Sequence, residues 1–113
     1  MTGSEGLLGV VTEVTVRILK KPSTARAVLI GFPSNEDAGD CVAAIIAAGI
    51  IPGGMEMMDR PAIHATEDFV HAGYPLDVEA LLIVELDGPK VEVDHLITQV
   101  AEIARKQIGR SHV

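Results

Sequence analysis

One hundred and thirteen residues, 48% apolar and 22% charged, are enough for one domain with its own core and exclude an intrinsically disordered segment. A net charge of −7, with only Phe32, Phe69 and Tyr74 as aromatics, excludes the basic stripe of a phosphate-backbone binder and the stacking platform of a base binder, so no nucleic-acid partner is expected. Cys41 is the only cysteine, which leaves no intrachain disulfide and no thiolate metal cluster.

The chain opens with Thr2-Gly3-Ser4-Glu5-Gly6-Leu7-Leu8-Gly9, in which glycines recur three apart. Such a loop permits positive φ or a close backbone approach to a ligand. It ordinarily follows a strand, and there is no room for one before it, so the expectation is an internal fragment of a longer chain. Residues 10–19 then alternate, with Val10, Thr12, Val14, Val16 and Ile18 on one face, which predicts a strand. Lys20-Lys21-Pro22-Ser23 is polar and contains a strand breaker, and it marks the expected domain boundary: 1–22 before it, 23–113 after it.

A strand over 24–32, built on Ala27-Val28-Leu29-Ile30, stops at Pro33. Ser34 can cap a helix whose first turn carries Glu36 and Asp37. Ala38, Cys41, Val42, Ile45 and Ala48 follow at helical spacing, and Gly49 supplies the left-handed stop. A short strand over 55–58 leads to Asp59, a second cap, with Pro61 in the first turn of a helix expected to reach Ala72 and end at Gly73. Residues 79–86 are apolar on both faces, as a central strand requires. Val93, Leu96, Ile97, Val100, Ile103, Ala104 and Ile108 then mark a long amphipathic helix, with Gly109 as the expected turn beyond it.

From Thr24 the order is β-α-β-α-β-α. This predicts an α+β fold, a ferredoxin-like split βαβ layer with an antiparallel sheet, helices on one face and the fourth strand missing. An open sheet edge invites pairing, either by 10–19 or by a second molecule, so a homo-oligomer through that edge is expected. No apolar run reaches membrane-spanning length and the N-terminus is not a basic-plus-apolar signal. No membrane span and a cytoplasmic location are therefore expected.

The opening loop, continued by Val10-Val11-Thr12-Glu13, resembles the closing motif of the FAD-binding domain in the vanillyl-alcohol-oxidase-type flavoproteins, in the glycolate oxidase D subunit and D-2-hydroxyacid dehydrogenase branch. Pro52-Gly53-Gly54-Met55-Glu56-Met57-Met58-Asp59 resembles the start of that branch's FAD-linked oxidase C-terminal domain. Glu67-Asp68-Phe69-Val70-His71-Ala72-Gly73-Tyr74-Pro75 and Val84-Glu85-Leu86-Asp87-Gly88 resemble later parts of it. The resemblance runs in order along essentially the whole chain. It implies that 1–22 ends an FAD-binding domain and that 23–113 is the first part of a substrate or cap domain. It further implies an FAD-dependent enzyme that oxidises a small 2-hydroxy acid, such as glycolate or D-lactate, by hydride transfer to flavin N5, with accessory subunits as possible partners. The histidine-rich metal and substrate motifs of that family lie beyond Val113, so no catalytic residue and no metal ligand is assigned here, and the fragment alone is expected to be inactive.

By spacing alone the loop is a glycine-rich lead-in to a strand. The resemblance implies FAD contact by Gly3, Ser4, Glu5, Gly6, Leu7 and Gly9, through backbone amides and the Ser4 hydroxyl. His64, Asp68 and His71 stand at i, i+4 and i+7, with Glu67 beside them; such spacing suits either a divalent metal or, the reading taken, a solvated polar face. Glu56 can line a cleft or simply charge a sheet edge, and Asp59 is read as a cap. Cys41 reads as a packed thiol. Without the family resemblance, the rival reading is a stand-alone α+β ligand-binding or interaction module.

Overall fold

The structure, a computed structural model, describes residues 1–107 and the backbone of 110–112. Seven elements follow one another: β1 (Thr24–Phe32), α1 (Asn35–Ala47), β2 (Gly54–Asp59), α2 (Arg60–Val70), β3 (Ala80–Gly88), α3 (Lys90–Lys106) and β4 (Arg110–His112). The strands form one antiparallel sheet in the order β2-β3-β1-β4. That is the split βαβ order of a ferredoxin-like layer, with α2 inserted between β2 and β3.

Local chemistry sets the boundaries. The Ser34 hydroxyl accepts from the Asp37 amide at 3.0 Å and starts α1; Gly49, at φ +78°, turns the chain away after it. Asp59 accepts from the Ala62 amide at 3.0 Å and starts α2, with Pro61 in the first turn. The beginning of α3 is tied to β1 by Asp94, which accepts from Arg26 at 2.9 Å and from Lys90 at 2.6 Å.

β3 is the central strand and is apolar on both sides because both sides are covered. Ala80, Leu82, Val84 and Leu86 join Val28, Ile30 and Phe32 of β1 beneath α1 and α3, where Cys41, Ile45, Val93, Val100 and Ala104 complete the main core. Leu81 faces the other way and packs with Ile63 of α2 and with Val78, flanked by the partly buried Leu29, Met58, Tyr74 and Ile83. Two cores therefore sit on opposite faces of one sheet.

Four expectations need correction. The fourth strand is present: Arg110–His112 pairs with Leu29–Gly31 of β1, since the 17-residue α3 brings the chain back beside that strand. Three residues are too few to carry a readable alternation. The helices do not share one face, because α2 lies opposite α1 and α3, with a single fully buried residue, Ile63. Residues 10–19 form no strand; alternation supplies side-chain order, but a strand also needs a ladder partner, and none of the described segments pairs with it. Finally, α2 ends at Val70 rather than Ala72, because His71 adopts the left-handed conformation at φ 51°, ψ 48°. The expected turn at Gly109 lies outside the described residues.

Candidate functional site

The glycine-rich loop folds into two consecutive tight turns. The Ser4 amide donates to the Met1 carbonyl at 3.2 Å and the Leu7 amide to the Ser4 carbonyl at 2.9 Å. Gly3 sits at φ +74° in the first turn; Glu5 at φ 48° and Gly6 at φ +82° occupy the centre of the second, the pattern of a type I′ turn. A side chain at Gly3 or Gly6 would meet nothing within 4 Å, so positive φ and not crowding is what requires glycine there. Gly9 follows at φ +154°, with the Met1 side chain beside it. Leu7 is 89% exposed and the loop packs against no part of the sheet's cores.

Gly3, Ser4, Glu5, Gly6, Leu7 and Gly9 are thus brought together on one exposed, backbone-rich turn pair. Its internal hydrogen bonds use only the amides of Ser4 and Leu7 among these six. A diphosphate is met best by such amides, and the Glu5 carboxylate, of the same sign, would contribute its N–H alone. Residues of this kind suit the phosphate end of a dinucleotide such as FAD.

The second face of the sheet is the other candidate surface. Register places Glu56 opposite Ile83 and Gly54 opposite Glu85, so two carboxylates border a partly exposed apolar floor made by Leu29 and Ile83. Among residues whose side chains are described, this floor carries acceptors and no cation, since Arg26 turns to Asp94 and Arg60 pairs with Glu79. Glu56 accordingly stands on the face that a cleft would use, and Asp59 is the cap that its position predicts.

Glu67 has a role that its spacing to the histidines concealed. Its two carboxylate oxygens accept from the Gly73 amide at 2.9 and 3.0 Å, and one of them also accepts from the Tyr74 amide at 3.0 Å. The Tyr74 and Gly73 hydrogen bonds hold this carboxyl below its ordinary value. The readable signal was a Glu one to two turns before a helix-ending Gly. Among the described residues no group of three His, Cys, Asp or Glu is arranged to hold a metal ion; Asp68 and His71 are exposed and His64 is half-buried. Burial pushes the Cys41 thiol up to about 11, which keeps it protonated within the main core.

A cleft of about 500 Å³ lies where 19–23 pass the end of β3 and the start of α3, lined by Lys20, Lys21, Asp87 and Pro89 among others. Ser23 Oγ donates to the Gly88 carbonyl at 3.2 Å across it. No helix among the described residues is long and apolar enough to cross a membrane.

Comparison with known proteins adds the following. Residues 21–113 match the family described as FAD linked oxidases, C-terminal domain. The chain is 57% identical over 105 residues to the glycolate oxidase subunit GlcD of Escherichia coli K12, covering 93% of this chain and 21% of that protein. It is 38% identical over 104 residues to the GlcD subunit of Bacillus subtilis, covering 92% and 22%. A probable mitochondrial D-lactate dehydrogenase of Danio rerio is 30% identical over 107 residues, covering 95% and 21%. Among solved structures, an alkyldihydroxyacetonephosphate synthase superposes with a TM-score of 0.71 at 22% identity, over 96% of this chain and 23% of that one, a likeness of fold alone. The chain therefore spans about a fifth of the length of these curated relatives.

Proposed function

Because the chain belongs to the family of FAD linked oxidases through their C-terminal domain, we propose that it is part of an FAD-dependent oxidoreductase acting on a small 2-hydroxy acid of the glycolate or D-lactate type. The observation that carries this reading is identity to a glycolate oxidase subunit over 105 of the 113 residues. In this reading 1–22 ends the FAD-binding domain and 23–113 begins the substrate or cap domain. The amides of Gly3, Glu5, Gly6 and Gly9, with Ser4 and Leu7, hold the cofactor's diphosphate. The chemistry FAD supplies when bound is two-electron acceptance at flavin N5. This chain contributes cofactor positioning and one face of a substrate enclosure; the groups that handle the substrate's proton lie in the remainder of the protein. Accessory subunits, as the word subunit in the relatives' names suggests, belong to the same proposal, as does a cytoplasmic location.

The full-length protein tests it. Purified from its complete reading frame, it is expected to carry flavin absorbance that bleaches anaerobically on adding glycolate or D-lactate. A colourless protein that takes up no FAD, or a flavoprotein bleached by neither acid, refutes the reading. Gly6→Val in that protein, which forces a β-branched residue to φ +82°, is expected to lower FAD retention at least tenfold, measured as flavin-to-protein ratio after gel filtration.

A further inference from the structure

Segment 60–79 is an insertion whose fastenings can be counted. At its base, Arg60 pairs with Glu79, and the Glu79 amide donates to the Phe32 carbonyl at 2.9 Å. In its return path, Val78 seats a γ-methyl over Gly31 of β1, where a Cβ would lie only 2.7 Å away. At its far end the Glu67 carboxylate holds the amides of Gly73 and Tyr74.

We propose that this segment is a separately opening cover on the second face of the sheet, with Glu67 as its latch and Tyr74 as the group the latch holds against that face. The two cores share no buried residue, so lifting the cover forfeits the contacts of Ile63, Val78 and Tyr74 and leaves the packing of α1 and α3 intact. Ile63 is the only buried residue of α2, and Phe69 is 86% exposed. Few buried apolar contacts and an exposed backbone end are the marks of a unit that opens below the global unfolding free energy. Opening widens access to the apolar floor between Glu56 and Glu85, and closing narrows it. Glu67 is a positioning residue in this scheme: it satisfies two amides that follow a non-glycine residue in the left-handed region, where the helix ladder provides no acceptor. The device holds whether or not the intact protein oxidises a 2-hydroxy acid.

Amide exchange on the 113-residue chain tests it. Glu67→Ala is expected to raise exchange at Gly73, Tyr74 and the last turn of α2 by roughly tenfold, while Ile30 and Leu82 keep their protection. Tyr74 is the sole tyrosine and there is no tryptophan, so the acrylamide quenching of intrinsic fluorescence rises in step. Unchanged exchange at Gly73 and Tyr74 overturns the latch. An equal loss of protection at Leu82 overturns the separately opening cover. Glu67→Gln keeps an oxygen for one amide and is expected to fall between the two; if Glu67→Ala does not fold, wild type against Glu67→Gln supplies the same comparison.

Discussion

Gly31 and Gly39 make opposite use of the same missing atom. At Gly31 a Cβ would lie 2.7 Å from a Val78 methyl; at Gly39, in α1, it would meet nothing within 4 Å. Gly31→Ala is therefore expected to destabilise the fold by about 1–3 kcal/mol through overpacking. Gly39→Ala is expected to stabilise it by about 0.5–1 kcal/mol through helix propensity. Urea denaturation of the two variants decides the signs. Glu67 adds a pH dependence. Its folded-state carboxyl lies below the ordinary value because of the Tyr74 and Gly73 amides, so its contribution is present above the unfolded value and is lost as pH falls through the folded one. Protection of the Gly73 and Tyr74 amides, corrected for intrinsic exchange, should fall over that acid window in wild type and lose this dependence in Glu67→Gln. At this scale much was legible: Ser34, Asp59, Pro61 and Gly49 act as their residue types dictate, because capping is a local property of three or four residues. The hold of Glu67 on Gly73 and Tyr74 was not, since it spans six and seven residues across a helix end.

Elements carry information of a different range. The apolar run of β1 and the two-sided apolarity of β3 were readable because burial concentrates apolar residues in a strand. Periodicity does not tell which side of a sheet a helix joins, and α2 offered only Ile63 as a fully buried anchor, so its place opposite α1 and α3 was hidden. Residues 10–19 show the converse: a strand pattern without a partner. Val10 is 84% and Ile18 87% exposed, and Val14 and Val16 are mostly exposed as well. An extended apolar stripe of this kind pairs with another chain when its proper neighbour is absent. The 113-residue chain is expected to associate with increasing concentration, and removal of residues 1–20, or Val14→Lys together with Val16→Lys, should shift it toward monomer in sedimentation velocity. A concentration-independent monomer in the unaltered chain would defeat that expectation.

For the whole molecule, the order of elements and the motifs along the chain led to the family, and the match over 21–113 places the chain in it. The loop that the FAD reading depends on is exposed and self-contained, and the relatives that carry the match are about five times longer than this chain. Composition gives the net charge of −7, yet it could not display the acidic border of the second face. That border arises only when Glu56 and Glu85, distant in sequence, are set diagonally on one face by the β2–β3 register. The same register has an architectural corollary. Asp59, the last residue of β2, stands directly across from Ala80, the first of β3. Everything between them is a detour that begins and finishes at one rung of the ladder. Replacing it with a two-residue Asn-Gly turn should therefore yield a minimal βαββαβ protein that still folds, at the cost of baring Leu29, Met58, Leu81 and Ile83 and of the Glu79 hydrogen bond to the Phe32 carbonyl. The natural chain can be viewed as that simple ancestor-like plan with a removable appendage spliced into its tightest hairpin.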